Sequence, residues 1–210
     1  MKIYKDIVQG TEEWAAIRKG RPTASRFSEI ITPTGLPSKS CHGYIRELIG
    51  ECFCPDWQAW TGNIYTDRGV QLEPEAREAF GKYSGLTLEQ VGFVIGDDGA
   101  CGCSPDSLVM GNGQAVAGLE IKCPIPKTHV GYVLDGELPS EYVAQVHGSM
   151  AVTVLNEWHF WSYFPGMKAF HVLVKRDDYT AKMEAALKEF VQKYKTAMAQ
   201  AVPKLKIPTL

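Results

Sequence analysis

In the first part of the chain, apolar residues recur at helical spacing between stretches rich in proline and glycine. Residues 11–20 begin with Thr-Glu-Glu-Trp, which is typical of an N-cap followed by an acidic first turn, so the sequence predicts a short helix there. The spacing predicts two further short helices over 23–31 and 44–49 and a longer one over 65–83. Because Pro74 has no backbone N–H, it either kinks this helix or begins a new one.

The pattern then changes to short apolar runs bounded by turns. Residues 86–95, 100–110 and 115–123 are rich in Val, Ile, Leu and Cys, and the sequences Gly-Asp-Asp-Gly and Gly-Asn-Gly separate them. Runs of this length between glycine-containing turns are typical of β-hairpins. The pattern therefore predicts three strands of an antiparallel meander.

The last third of the chain returns to mixed periodicity. Helical spacing predicts a helix over 141–155, alternating aromatic and polar residues predict strands over 157–164 and 170–175, and an amphipathic pattern predicts a final helix over 177–201. Helices, three strands, a helix, two strands and a helix follow one another along the chain. This order predicts the α/β class, with a central mixed sheet flanked by helices.

Length and composition are those of a globular domain. The chain has 210 residues, of which 45% are hydrophobic and 22% charged. This balance excludes fibrous and disordered proteins, and the length predicts one domain over 1–210. No segment approaches the ~20 apolar residues of a membrane span, and the N-terminus lacks the apolar core of a secretory signal. We therefore expect a cytoplasmic protein without a membrane partner.

Six cysteines raise the question of disulfides or a metal cluster. There is no C-x-x-C motif and no secretory signal, so we expect reduced structural thiols. The two C-x-C pairs, Cys52/Cys54 and Cys101/Cys103, would each place both thiols on one face of a strand. Zinc or iron–sulfur binding therefore stays open as an alternative.

Charge is distributed unevenly along the chain, although the formal net charge is only −2. Residues 51–165 carry 15 acidic and 5 basic side chains, whereas 1–50 and 166–210 are both net basic. One interpretation is chance segregation of surface charge. The other is a carboxylate-rich metal centre whose polyanionic substrate is held by the flanking basic segments.

Asp106, Glu120 and Lys122 form the pattern that most suggests chemistry. Strand alternation places Glu120 and Lys122 on one face and Ile121 in the core, and pairing across the Gly-Asn-Gly turn would bring Asp106 beside Glu120. Two close carboxylates repel unless a cation neutralises them, and oxygen ligands suit Mg²⁺ or Mn²⁺. Such a site favours phosphodiester hydrolysis, with Lys122 stabilising developing charge. A hairpin with a surface salt bridge is the alternative.

Further motifs along the chain add to this pattern. Taken in order with it, they resemble the lambda exonuclease-type (YqaJ-like) phage recombination nucleases, the alkaline exonuclease branch of the PD-(D/E)xK superfamily. The resemblance spans about residues 8–175 and rests on Gly10-Thr-Glu-Glu-Trp14, Arg18, Thr23-Ala-Ser25, Arg68-Gly-x-x-x-Glu73, Gly102-Cys-Ser-Pro-Asp106, Leu119-Glu-Ile-Lys-Cys-Pro124 and Gln145 before Gly148-Ser-Met150. It implies a restriction-endonuclease-like nuclease core over about 62–175, with N-terminal helices (1–61), the C-terminal helix (177–201) and a basic tail (202–210) around it.

The resemblance implies roles for the residues of the metal site. Asp106 and Glu120 would be metal ligands, aided by the Ile121 carbonyl, and Lys122 would be the catalytic lysine. Glu73 would help to bind a second metal or its water, and Gln145 would orient water or a ligand. For the last two, the alternatives are a helix pair between Glu73 and Arg77 and a buried structural glutamine.

A second group implied by the resemblance would grip the 5′-phosphate of the digested strand: Arg18, Thr23, Ser25 and Ser104. A guanidinium offers a planar fork to phosphate, and backbone N–H groups at a helix start bind anions. Thr23 and Ser25 would alternatively only cap a helix.

Three aromatic residues in the predicted loop before Glu73, namely Trp57, Trp60 and Tyr65, are candidates for stacking on bases where the duplex frays. Their alternative is a core or subunit contact. Position 107 is Ser where many members of the family carry Gly, and we expect this difference to affect a turn and not the chemistry.

The function implied by the resemblance is Mg²⁺-dependent 5′-to-3′ digestion of linear double-stranded DNA to mononucleotides, which leaves 3′ overhangs. The implied partners are DNA ends, two further copies in a ring-shaped homotrimer, and a single-strand annealing protein. The implied source is a phage or prophage expressed in a bacterial cytoplasm. A nicking or structure-specific endonuclease, a non-catalytic DNA-end-binding module and an iron–sulfur nuclease remain as alternatives.

Overall fold

A computed structural model describes residues 1–54 and 64–205, without the side chains of 64–67. The helices begin where the sequence supplies a cap or a break; at the first, Thr11 Oγ1 accepts the Trp14 N–H at 3.4 Å. In chain order they are α1 (Glu12–Arg18), a 3₁₀ helix (Ala24–Glu29), α2 (Cys41–Phe53), α3 (Ile64–Ser84), α4 (Pro126–Asp135), α5 (Ser140–Thr153) and α6 (Asp178–Leu205). The prediction did not include α4. None of the described helices is long and apolar enough to cross a membrane.

The strands of the described part form two sheets. They are β1 (Lys2–Tyr4), β2 (Thr87–Glu89), β3 (Phe93–Ile95), β4 (Gly102–Cys103), β5 (Ser107–Gly111), β6 (Gln114–Lys122), β7 (Glu157–Ser162) and β8 (Phe170–Lys175). The larger sheet has the order β2-β5-β6-β7-β8, in which β6 and β7 are parallel and the other pairs antiparallel. The predicted mixed sheet flanked by helices is confirmed.

The predicted meander is correct only for its last hairpin. β2 pairs with β5 in the larger sheet, whereas β3 pairs with β1 and β4 in a separate three-stranded sheet. The chain leaves one sheet for the other at Gly92, where a Cβ would meet the Ile7 carbonyl oxygen at 1.9 Å, and again at Pro105, which has no N–H to donate. An apolar run predicts a strand, but it does not indicate which sheet the strand joins.

Both faces of the larger sheet are covered. Phe80 of α3 packs against Leu119, Ile121 and Trp161 on one face, and the helix α5 covers the other. Because side chains alternate along β6, Ile121 lies in the α3 core, as predicted, whereas Glu120 lies on the α5 side, where Gln145 contacts it. Glu120 is therefore a carboxylate in the interior of the molecule.

Several predicted boundaries shift. Pro74 lies inside one continuous helix, α3, so that it does not begin a new one. Tyr65 belongs to α3, which agrees with the helix predicted over 65–83 and corrects its assignment to the loop before Glu73; Trp57 and Trp60 lie outside the described residues. The last helix extends to Leu205, so Lys204 is helical and the predicted basic tail is shorter than 202–210. The helix thus continues through Pro203, although proline is unfavourable inside a helix.

Candidate active site

The β5–β6 hairpin brings the two predicted carboxylates together. Asn112 and Gly113 both have positive φ (52° and 78°), which is the conformation of a tight hairpin turn. The pairing that follows places Ser107 opposite Leu119, and the Asp106 N–H donates to the Leu119 carbonyl at 3.1 Å. Asp106 Oδ2 in turn accepts the Ile121 N–H at 2.5 Å. The predicted placement of Asp106 beside the Glu120–Lys122 strand end is confirmed.

Glu120 is buried, with 2% of its surface exposed. Its Oε1 atom accepts from the Lys122 ammonium at 2.6 Å and from the Gln145 amide at 2.6 Å. A buried carboxylate needs such partners, because desolvation of an unpaired charge is costly. The ammonium also lies 4.9 Å from the centre of the Tyr142 ring, so the strand end and α5 hold Lys122 between them.

The charges of this site shift two pKa values upward. Burial raises the pKa of Asp106 well above its ordinary value, and the neighbouring Glu120 and Glu73 carboxylates raise it further. For Lys122, burial opposes the charged form, but the Glu120 and Asp106 carboxylates outweigh this effect and raise its pKa. Lys122 is therefore held as an ammonium, and the repulsion among the carboxyl groups around Asp106 favours the binding of a cation there.

Glu73 approaches this site from α3. It forms an ion pair with Arg77 one helical turn later, so the predicted alternative partner is present. Arg77 also contacts the strand that carries Asp106, because its Nε donates to Ser107 Oγ at 3.0 Å and to the Asp106 carbonyl at 3.3 Å. Ser107 itself begins β5 and is fully buried, so the expectation that it affects only a turn is wrong.

The donor chemistry of the site fits a hard divalent cation. Asp106, Glu120 and the Ile121 main chain offer oxygen atoms, which Mg²⁺ and Mn²⁺ prefer, and two close carboxylates are stabilised by such an ion. In the described part of the chain, no three His, Cys, Asp or Glu side chains lie close enough to hold a metal on their own. Glu73 therefore stands at the edge of the site and does not complete a three-carboxylate cluster with Asp106 and Glu120 among the described residues.

Arg18, Thr23, Ser25 and Ser104 form a second cluster. Arg18 donates to Ser104 Oγ at 3.1 Å and lies 3.4 Å from the hydroxyl oxygens of both Thr23 and Ser25. Its guanidinium stacks on the Trp14 ring at 4.1 Å, and the indole N–H donates to the same Ser104 oxygen at 2.9 Å. Thr23 precedes the 3₁₀ helix, but its side chain makes no capping hydrogen bond there, so the capping alternative is not what orients it.

This cluster has the electrostatics of an anion site. Burial lowers the pKa of Arg18, and among the described residues the guanidinium forms no ion pair with a carboxylate. A partly buried cation without a counter-ion is stabilised by an anionic ligand. Ser104 connects the two sites, because it stands two residues before Asp106 on the same segment. An anion held by Arg18 would therefore lie next to the carboxylates.

Sequence reasoning missed three contributors to these sites: Trp14, Arg77 and Ser107. Trp14 was quoted within a motif but was given no role, and Arg77 was considered only as a helix partner. Their contacts link residues that are 30 to 90 positions apart in the chain, and no local pattern reports such contacts. All six cysteines are free thiols in this structure, with Cys101 and Cys103 buried and Cys52 and Cys54 exposed, and burial raises the pKa of Cys101 to about 12.

Comparison with known proteins identifies the family. The model of the YqaJ-like viral recombinase domain matches residues 13–156, which include both candidate carboxylates, Lys122 and Gln145. The chain belongs to this family. The resemblance inferred from the motifs is thereby confirmed.

Solved structures of similar proteins agree with this YqaJ-like assignment. LHK-Exo, an alkaline exonuclease from Laribacter hongkongensis, is 30% identical with a TM-score of 0.81, over 92% of this chain and 97% of that one. A phage-related exonuclease from Haemophilus somnus 129PT has the same fold, with a TM-score of 0.65, 16% identity and coverage of 89% and 96%. By family, this YqaJ-like chain is thus a phage-type alkaline exonuclease, which is a kind of nuclease.

One curated protein of Escherichia coli (strain K12), a putative uncharacterized protein ExoD, is also similar to the YqaJ-like chain. It is 36% identical over 67 residues, which make up 30% of this chain and 77% of that protein.

Proposed function

We propose that the chain is a Mg²⁺-dependent 5′-to-3′ exonuclease. It digests one strand of linear double-stranded DNA from a 5′-phosphorylated end, releases mononucleotides and leaves a 3′ single-stranded overhang. In phage recombination this overhang is the substrate of a single-strand annealing protein. The proposed assembly is a homotrimer that encloses the DNA.

One observation carries the proposal of end-directed digestion. The Arg18 cluster and the carboxylate site share the segment Ser104-Pro105-Asp106. Arg18 donates a hydrogen bond to Ser104 Oγ at 3.1 Å, and Asp106 Oδ2 accepts one from the Ile121 N–H at 2.5 Å. An enzyme that removes one nucleotide at a time must hold the terminal phosphate at a constant distance from the bond it cuts. A stiff Pro-containing segment between the two sites meets this requirement. The complex of LHK-Exo with dAMP, a nucleoside monophosphate, supports the same class of product.

The chain's own residues divide the remaining work. Asp106 and Glu120, with the Ile121 carbonyl, would hold the metal, and Glu73 would act at its edge. Bound Mg²⁺ would neutralise the two carboxylates, polarise the scissile phosphate and lower the pKa of the attacking water. Lys122, kept charged by Glu120, donates toward the charge that develops on the phosphate oxygens. Gln145 holds Glu120 in place through the 2.6 Å hydrogen bond.

Digestion of three DNA substrates tests the proposal. Purified protein with Mg²⁺ is incubated with linear duplexes that are labelled at the 5′ or the 3′ end and with a covalently closed circle. We expect early release of label as mononucleotide from the 5′-labelled duplex only, and an intact circle. Cutting of the circle would support an endonuclease instead, and end binding without cleavage would support a non-catalytic module. Light scattering of the same preparation tests the trimer.

A matched variant guards this experiment against a contaminating nuclease. Glu120→Gln preserves the size of the side chain and its ability to accept hydrogen bonds, but it removes one metal-binding charge. Because Gln145 and Lys122 still find an oxygen atom there, the variant should fold and lose cleavage. Equal cleavage by the variant would show that the activity does not come from this site.

A further inference from the structure

Arg77 joins two parts of the site that come from different elements. On α3 its Nη2 contacts Glu73 Oε1, and toward the sheet its Nε donates to Ser107 Oγ at 3.0 Å and to the Asp106 carbonyl at 3.3 Å. The Ser107 hydroxyl donates its own hydrogen to the Asp106 carbonyl at 2.6 Å. A continuous chain of hydrogen bonds therefore runs from the Glu73 carboxylate to the main chain of Asp106.

This arrangement differs from an ordinary surface ion pair on the same helix. Glu78 and Lys82 have the same i,i+4 spacing on α3, but their side chains are 67% and 76% exposed. Arg77 is only 16% exposed, and Ser107, which receives it, is completely buried. An exposed pair contributes little to helix stability, because water screens the two charges. The Arg77 contacts instead hold the Glu73 end of α3 in a fixed orientation relative to β5.

Electrostatics explains why Glu73 needs such a tether. Asp106 and Glu120 already bring two carboxyl groups to the site, and the Arg77 contacts place the Glu73 carboxylate on the same side of the Asp106 main chain. Without a counter-ion, Glu73 would be repelled toward solvent, since its side chain is 29% exposed and free to rotate away. The guanidinium provides the counter-ion and, through its planar fork, also the orientation.

We propose that Arg77 and Ser107 are positioning residues: together they hold Glu73 at the edge of the metal site, and the affinity of the site for divalent cations depends on them. This proposal rests on the proposed function, because it assigns the Asp106–Glu120 pair to a metal. Groups that hydrogen-bond to metal-site carboxylates set the orientation of those carboxylates, and their loss lowers metal affinity by ~10- to 100-fold.

Titration with Mn²⁺ alone, without DNA, tests the proposal by calorimetry. We expect Arg77→Met and Ser107→Ala to weaken Mn²⁺ binding about 10-fold, and the control Lys82→Met on the same helix to bind as the original chain does. In a Glu73→Gln background, Arg77→Met should cause no further loss, because both changes interrupt the same chain of contacts. Wild-type affinity in Arg77→Met and Ser107→Ala would overturn the proposal, and so would an equal loss in both backgrounds.

A conservative variant separates positioning from a structural role. Arg77→Lys keeps the charge that pairs with Glu73 but cannot reach Ser107 at the same time, so it should restore the melting temperature without restoring Mn²⁺ affinity. Full recovery of Mn²⁺ affinity in Arg77→Lys would overturn the proposal. In DNA digestion, Arg77→Met should lower kcat at low Mn²⁺ concentration. At high Mn²⁺ concentration kcat should return to its original value, and KM for DNA should be unchanged throughout. If the original chain binds Mn²⁺ but cuts no DNA, the proposed function fails and the positioning result still stands.

Discussion

Arg18 and Ser104 are joined by a 3.1 Å hydrogen bond that connects the end of α1 to the segment entering the carboxylate site. Ser104 Oγ also accepts the Trp14 indole N–H at 2.9 Å. Since both donors use the lone pairs of the serine oxygen, its hydroxyl hydrogen is left to point toward another acceptor. A terminal phosphate is such an acceptor, and this relationship leads to the first prediction.

Arg18→Ala should slow digestion of 5′-phosphorylated duplexes and barely affect 5′-hydroxyl duplexes. A hydrogen bond to a charged group contributes ~1.5–3 kcal/mol, which corresponds to about 10- to 150-fold in rate if the contact acts in the transition state. The initial rates of the original chain and of Arg18→Ala, each measured on 5′-phosphorylated and on 5′-hydroxyl duplexes, form a double-mutant-type cycle. This cycle isolates the contribution of the contact between Arg18 and the terminal phosphate. Equal loss on the two substrates would assign Arg18 to the fold or to an internal phosphate.

Asp106→Asn should abolish cleavage and yet raise the melting temperature of the metal-free protein. The asparagine oxygen still accepts the Ile121 N–H, while the repulsion from Glu120 and Glu73 is removed. Thermal unfolding with and without Mg²⁺ measures this. Added Mg²⁺ should stabilise the original chain and leave the variant nearly unchanged, because a ligand stabilises only the state that binds it. A lower melting temperature in the metal-free variant would contradict the proposed electrostatics.

Lys122→Met should lose cleavage and destabilise the metal-free fold by ~3 kcal/mol, since the variant leaves the buried Glu120 carboxylate without its cation. Denaturant unfolding measures the loss, and Mg²⁺ should restore part of it by supplying positive charge. Lys82→Met is the matched control, because Lys82 is exposed and pairs only with Glu78. Stability equal to that of this control would show that Glu120 does not depend on Lys122.

Titration of His159 should make the free energy of unfolding depend on pH. Burial and, to a smaller extent, the neighbouring His171 together lower the pKa of His159 from 6.5 to about 4; His171 Nε2 lies 2.9 Å from His159 Nδ1. A histidine with a lowered folded-state pKa stabilises the fold above 6.5 and loses that contribution as the pH falls from 6.5 to 4. His159→Phe should therefore flatten the fall in unfolding free energy over this range. An unchanged pH profile would assign the acid sensitivity elsewhere.

Local patterns were enough to predict the centre of the candidate site. Asn112-Gly113 between two apolar runs specifies a tight hairpin, and strand alternation then assigns the faces of Glu120 and Ile121. Both rules act over a few residues, so Asp106 could be placed beside Glu120 without tertiary information. The family motifs gave Arg18 and Ser104 as members of one cluster for the same reason: each stands in a short recognisable segment.

The sequence by itself thus determined the fold class, the family and the Asp106–Glu120–Lys122 arrangement, because periodicity, turn chemistry and motif spacing are local properties. Only the tertiary structure decided that β2 and β3 join different sheets, that Trp14 supports Ser104, and that Arg77 reaches Ser107. These outcomes depend on which distant segments pack together, and packing minimises unpaired charge and exposed apolar surface over the whole chain. From the sequence alone, the Arg77 guanidinium on α3 could pair with many residues. The position of β5 against α3 makes Ser107 its partner.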